Sequence, residues 1–313
     1  MSEFLDSIAR LFPETDGFCH PDWKAIAEQV ESRFPREEWD EWFTEAALHW
    51  VELVVEKAKG EFYLHQTDNS ILLSPESEEK VEAMCHFCES ARKDILNRLK
   101  GIAKSWGYGK CVIFMFAGEQ DYYQYISHFY KDGEHALSGG IFIASGGYDH
   151  LAFVERPRTP YQAILRHELA HSMVSHLCLP VWLNEALAMA MENRPFKLNA
   201  ELLDRHRACW NEKNIQQFWS GTTYDEPKAQ ELSYHLAQVL LRKIQEDLHP
   251  SEMQMAVFVN VAHFSDAGEE ACWRVFDLSL GDLMGDFLGP GHWAPGPEQW
   301  PRAPEAPPKM GAL

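Results

Sequence analysis

Apolar and polar positions change their period several times along the chain, and each change marks a new element. From the N-terminus to about Gly60 the spacing is helical. Trp39 to Lys59 is the clearest stretch, with Trp42, Ala46, His49, Leu53 and Val54 near one face. The period then shortens. Phe62-Tyr63-Leu64 and Ile71-Leu72-Leu73 flank Thr67-Asp68-Asn69-Ser70, which predicts a β-hairpin within Glu61–Ser74. Pro75 opens a long helix expected to run to about Ser105, with Gly107 and Gly109 punctuating its end. Cys111 to Phe116 is a short continuous apolar run, the mark of a central strand buried on both faces. A helix is expected over Gln120 to Tyr130. After Ser138-Gly139-Gly140, two strand-like pieces follow, Ile141–Ala144 and Leu151–Val154, separated by a turn at Gly146-Gly147. From Pro160 to about Leu288 only helical spacing remains. The stretch from Pro290 carries seven prolines in 24 residues and reads as an extended tail. There is no internal repeat.

Strands confined to the middle, with helices closing the chain, predict an α+β organisation. The expected parts are a helical region over 1–60, a mixed α/β lobe with a small sheet over 61–159, a helical lobe over 160–289, and the tail over 290–313.

Composition narrows the function classes. The chain has 313 residues, 45% of them hydrophobic, enough to bury a core and long enough for two lobes. Against 28 Lys and Arg stand 48 Asp and Glu, a formal net charge of -20. Such a chain repels phosphate backbones and anionic membrane surfaces, so nucleic-acid and membrane partners are disfavoured. No basic segment followed by an apolar core opens the sequence, and no apolar run has the length of a membrane span. Seven cysteines, an odd number, fit scattered reduced thiols better than a disulfide framework, and a cytoplasmic location is expected.

The chemistry concentrates in one span. Thr159 as N-cap, Pro160 at the first helical position and Gln162 predict a helix start. That helix carries His167-Glu168-Leu169-Ala170-His171. Histidines at i and i+4 lie about 40° apart around a helix, so both imidazoles can reach one ion. Glu168 projects about 100° away from His167, where it can reach a water rather than join the ligands, the geometry of a general base. A stable site needs a third protein ligand. Leu179-Pro180 breaks the helix, and Glu185 follows His171 by 14 positions on the next one. It stands among Trp182, Leu183, Ala186, Leu187 and Ala190, where an unpaired carboxylate is costly and a cation removes the cost. Zn2+ on His167, His171 and Glu185 is the expected cofactor, one ion per chain.

His167-Glu168-Leu169-Ala170-His171 followed by Pro180-Val-Trp182-Leu-Asn-Glu185-Ala-Leu-Ala188 resembles the gluzincin metallopeptidases, especially the compact peptidase MA-like group. In that group a P-x-W-L-x-E-G-x-A stretch follows the histidine motif closely. The resemblance covers roughly Ser138 to Glu246, about a third of the chain. Ala186 stands where the family usually has Gly, and no G-A-M-E-N motif of the large aminopeptidases is present. The resemblance implies a zincin-like fold, with a mixed lobe, an active-site helix and a helical C-terminal lobe. It also implies hydrolysis of a peptide or protein substrate, with Tyr234 as oxyanion donor from a later helix. A core tyrosine is the other reading of Tyr234, and His235 beside it reads as a surface residue. In such folds the strand beside the active-site helix offers its free edge to the substrate, a role open to Ser138–Ala144 or Leu151–Val154 and equally explained by plain turns.

Other features carry less. Cys85-His-Phe-Cys88 lacks a second Cys pair and reads as structural, His176 as a helix-end histidine, and Tyr122, Tyr123 and Tyr125 as cover for a core face. Two rival functions stand beside the peptidase: a catalytically silent zinc-containing binding or scaffold protein, and a zinc hydrolase of non-peptide amides. Oligomeric state is not readable from the chain.

Overall fold

The computed structural model describes residues 3–57, 62–105, 107–130, 138–156 and 159–300. The first helices and strands are α1 (Glu3–Ile8), β1 (Glu14–Thr15), β2 (Phe18–Cys19), α2 (Trp23–Arg33), α3 (Trp39–Lys57), β3 (Tyr63–Gln66), β4 (Ser70–Ser74) and α4 (Glu78–Arg98). Next come β5 (Cys111–Phe116), α5 (Glu119–Ser127), β6 (Gly140–Ser145) and β7 (Tyr148–Val154). Helices complete the chain: α6 (Tyr161–Val174), α7 (Val181–Met191), α8 (Ala200–Cys209), α9 (Ile215–Trp219), α10 (Gln230–Asp247), α11 (Glu252–Val261), α12 (Glu269–Phe276) and α13 (Leu280–Leu288). The class is α+β. Two compact units are present, one of residues 3–94 with 105–172, the other of residues 95–104 with 173–300.

The first unit is built on a five-stranded sheet of order β3-β4-β5-β7-β6. The apolar run β5 lies at its centre, parallel to β4 on one side and to β7 on the other. The two edge strands are antiparallel, β3 to β4 through the expected hairpin and β6 to β7 through the Gly146-Gly147 turn. All seven residues of β7 are buried, as are the first five of β5 and of β6. This explains why β5 reads as a continuous apolar run: both of its faces are covered. Trp23, Phe43 and Trp50 from α2 and α3 pack in the same core as Val112, Phe114 and Tyr148. The Trp50 indole donates to the Cys19 carbonyl at 2.8 Å.

Three local expectations need correction. Residues before Gly60 are not all helical, because β1 and β2 form a hairpin. Its turn residues Asp16 and Gly17 both have positive φ, as a tight two-residue hairpin loop requires. The helix opened at Pro75 is shorter at both ends. Ser77, not Pro75, caps it, with its hydroxyl accepting from the Lys80 amide at 3.4 Å, and α4 stops at Arg98, just before Gly101 at φ +77°. The helix placed over Gln120–Tyr130 ends at Ser127.

The second unit is helical among its described residues. α7 packs on α10, and the Trp182 indole donates to the Ala267 carbonyl at 2.9 Å. Residues 290–300, read as part of an extended tail, instead fold against α9. Trp293 and Trp300 are both 8% exposed, and the Trp219 indole donates to the Trp293 carbonyl. Buried Gln216 serves this segment three times: it donates to the Ala294 carbonyl and accepts from the Gly296 amide and the Trp300 indole. The remainder of the proline-rich stretch, 301–313, lies outside the described residues. All seven cysteines are free thiols, and among the described residues no helix is long and apolar enough to cross a membrane.

Candidate functional site

The α6 helix buries Ala163, Ile164, Leu165, Leu169, Ala170, Met173 and Val174, and this apolar packing fixes its rotation. With that stripe set, His167 and His171 stand one turn apart with His171 only 8% exposed. Their Nε2 atoms are 3.0 Å from each other, and the rings meet edge to face at 4.7 Å. Two nitrogens bound to one zinc at about 2.0–2.1 Å in a tetrahedral set lie roughly 3.3 Å apart, so the observed separation is close to that of a shared ion.

Glu168 is 6% exposed and faces the sheet. It lies against the start of β6, whose backbone approaches closely at Gly140. A methyl group placed on Gly140 would come within 2.8 Å of Glu168 Oε1 and 2.7 Å of Ile164 Cγ2. Only a residue without a Cβ lets the edge strand pass over this carboxylate without a shift. The segment leading into β6 is held by named bonds. Arg156 Nη2 donates to the Ser138 carbonyl at 2.7 Å and to the Tyr123 hydroxyl at 2.6 Å, while the Tyr122 and Ser138 hydroxyls are 2.7 Å apart. Burial pushes the Tyr122 hydroxyl up, and the Glu168 charge adds to that shift. Tyr122 and Tyr123 therefore do more than cover a core face: with Arg156 they fix the strand that meets Glu168.

Glu185 sits on α7, which starts after Pro180 as the sequence predicts. Pro180 is extended, and its carbonyl accepts from the Leu183 and Asn184 amides. Neighbouring Trp182, Leu183, Ala186, Leu187 and Ala188 are all buried. Among the described residues, His167, His171 and Glu185 form one group whose candidate ligand atoms all lie within 4.8 Å of one another. Two imidazole nitrogens and a carboxylate oxygen form a donor set suited to zinc.

Tyr234 is half-buried on α10, its ring edge-on to Tyr224 at a centroid distance of 5.2 Å. Tyr224 is itself buried, and its hydroxyl donates to the Ser233 carbonyl. Burial holds the Tyr224 hydroxyl well above its usual range, and the charge of Glu185 pushes in the same direction. His235 departs from the surface role expected of it. The Trp210 indole donates to His206 Nδ1 at 3.0 Å, and His206 Nε2 lies 2.8 Å from His235 Nδ1. His235 Nε2 lies 2.9 Å from the Lys197 carbonyl. An indole only donates and a carbonyl only accepts, so the chain runs one way and both imidazoles are neutral with a proton on Nε2. Cys85 and Cys88 are buried thiols on α4 held protonated by desolvation, in keeping with a structural role. His176, just beyond α6, is half-buried, and burial lowers its pKa.

Spacing singled out the histidine pair, Glu168 and Glu185 as candidates. Gly140, Arg156 and the Tyr122–Ser138 pair carried no motif, although the paired glycines at 139 and 140 were a visible signal for close backbone approach. Comparison of the chain with protein-family models finds no match, and comparison with curated proteins finds none either.

Proposed function

We propose that this chain is a zinc-dependent peptidase of the gluzincin type, with a zincin-like arrangement of sheet and active-site helix. The observation that carries the reading is the convergence of His167, His171 and Glu185 on one point, with Glu168 projecting from the same helix under Gly140 of β6. His167, His171 and Glu185 are the residues that hold the metal. Zinc so held supplies Lewis acidity and lowers the pKa of a water to about 7. Glu168 takes the proton of the attacking water and passes it to the leaving amine. Among the described residues β6 is an edge of its sheet, and an extended peptide added there as a further strand would bring a peptide carbonyl alongside Glu168. Tyr234 is the assigned donor to the developing oxyanion.

The test is metal analysis of the purified chain followed by cleavage of a peptide library, with Glu168→Gln as control. The expected result is one zinc at this site in both proteins. Turnover in the variant should fall by about 10²–10⁴-fold. Wild-type cleavage by Glu168→Gln would remove the proposed base. Zinc without turnover in the wild type would instead favour a binding or scaffold protein, and cleavage of simple amides but not peptides would favour the non-peptide hydrolase.

A further inference from the structure

A second cluster of metal-binding side chains lies in the first unit, built from residues that the peptidase reading does not use. His65 of β3 and Glu82 and His86 of α4 place one ligand atom each within 4.8 Å of one another. Glu82 and His86 are spaced i and i+4, with His86 Nε2 3.7 Å from Glu82 Oε1. The rings of His65 and His86 are 5.6 Å apart. Both α4 side chains are solvent-exposed, 53% for Glu82 and 65% for His86, so an ion can enter without any part of the fold opening.

Chance meetings of exposed side chains are common. What distinguishes this one is the stiffness of the frame beneath it. The hairpin that carries His65 is tied to α4 one turn beyond His86. There Glu89 accepts from the Thr67 hydroxyl, the Asn69 amide and the Asn69 side chain. Cys85, adjacent to His86 and buried, points its thiol at the His65 carbonyl at 3.7 Å. Strand and helix are therefore held in register by contacts independent of the three candidate ligands. Binding need not order the backbone at the moment the ion arrives, and that is the usual penalty at an improvised site.

We propose that His65, Glu82 and His86 form a second divalent-metal site that takes one ion of the zinc, nickel or copper class. Two imidazoles and a single carboxylate select such borderline ions over magnesium or calcium, which prefer all-oxygen sets. The remaining coordination positions face solvent, so the ion exchanges readily. Its effect is to bridge the sheet edge at β3 to α4.

The test is titration of the chelator-stripped full chain with Zn2+, reading bound metal by equilibrium dialysis, on the wild type, His86→Ala, His65→Ala/His86→Ala and His171→Ala. The double variant is expected to bind one fewer ion per chain than the wild type, and His86→Ala to weaken that ion at least tenfold. His171→Ala is expected to keep it. Unchanged stoichiometry and affinity in both His65/His86 variants would overturn the proposal. The reading is separable from the peptidase. If the His167 site holds no metal, the count falls from one to zero instead of two to one, and the loss still reports on His65 and His86. Because the His86 side chain is exposed, His86→Ala serves alone if the double variant does not fold.

Discussion

At Gly140 the space for a single methyl group bears on the proposed peptidase chemistry. Its Cα faces Ile164 and Glu168 so closely that an alanine must displace the β6 backbone or the Glu168 carboxylate. Gly140→Ala is expected to keep metal content and lower turnover by about a hundredfold, since displacements on the order of 1 Å in a catalytic group have that effect. Zinc analysis beside a peptidase assay checks this, and unimpaired cleavage by the Gly140→Ala variant would show that the close approach is irrelevant to the proposed chemistry. The Trp210–His206–His235–Lys197 chain makes a different point at the same scale. Replacing His206 by Leu leaves the buried Trp210 indole N–H without its acceptor. An orphaned buried donor costs about 1–3 kcal/mol, so the urea midpoint should fall accordingly with no change in zinc binding.

Among the elements, α3 and β6 are the two on which most depends. Trp50 of α3 is fully buried against Phe114 and His150 and donates to the Cys19 carbonyl, so one side chain joins α3, the β1–β2 hairpin and the sheet. Trp50→Ala should cost about 3–5 kcal/mol in equilibrium unfolding, the range for deleting a large buried aromatic. β6 is an edge strand that meets α6 at Gly140, and its entry is held by Arg156, Tyr122 and Tyr123. The Ser172 hydroxyl, from the last turn of α6, donates to Asp149 of β7 at 2.5 Å, so the helix is hydrogen-bonded to the neighbouring strand as well. Burial raises Asp149 to about 6.

Across the molecule, three buried histidines contribute to the response to acid. Burial, with His128 close by, pushes His20 down to about 3. Burial, with His20, does the same to His150, and burial, with His235, lowers His206 to about 4. Each is neutral in the folded chain and titrates near 6.5 when unfolded, so the unfolded state binds more protons below that value. Their contribution to stability is present above about pH 6.5 and is lost as pH falls toward 3–4. Asp149 acts in the opposite sense. With its folded pKa raised from 3.8 to about 6, its contribution is present below 3.8 and lost as pH rises through 6, which offsets one histidine in that window. The net expectation is a urea midpoint that falls as pH drops from 6 to 4; a midpoint independent of pH there would contradict it. Chelation belongs to the same scale. A metal bound to the folded chain at a thousand times its Kd adds about 4 kcal/mol, so stripping should lower the melting temperature and Zn2+ should restore it.

Features written within one or two adjacent elements were legible in the chain itself. The His167–His171 face, with Glu168 about 100° to one side, follows from helical period. The break at Pro180 and the significance of a carboxylate at Glu185 within an apolar stretch follow from local backbone rules and the cost of burying charge. The β3–β4 hairpin and the central run β5 follow from period and turn residues, and Asp16-Gly17 carried the same kind of signal for the β1–β2 hairpin. Tertiary structure alone decided the strand order β3-β4-β5-β7-β6, the passage of Gly140 over Glu168, the pairing of His206 with His235, and the meeting of His65 with Glu82 and His86. Periodicity states which face of an element is apolar. It does not state which distant element will cover that face, and each of these four features is a contact made only when two such faces close on each other.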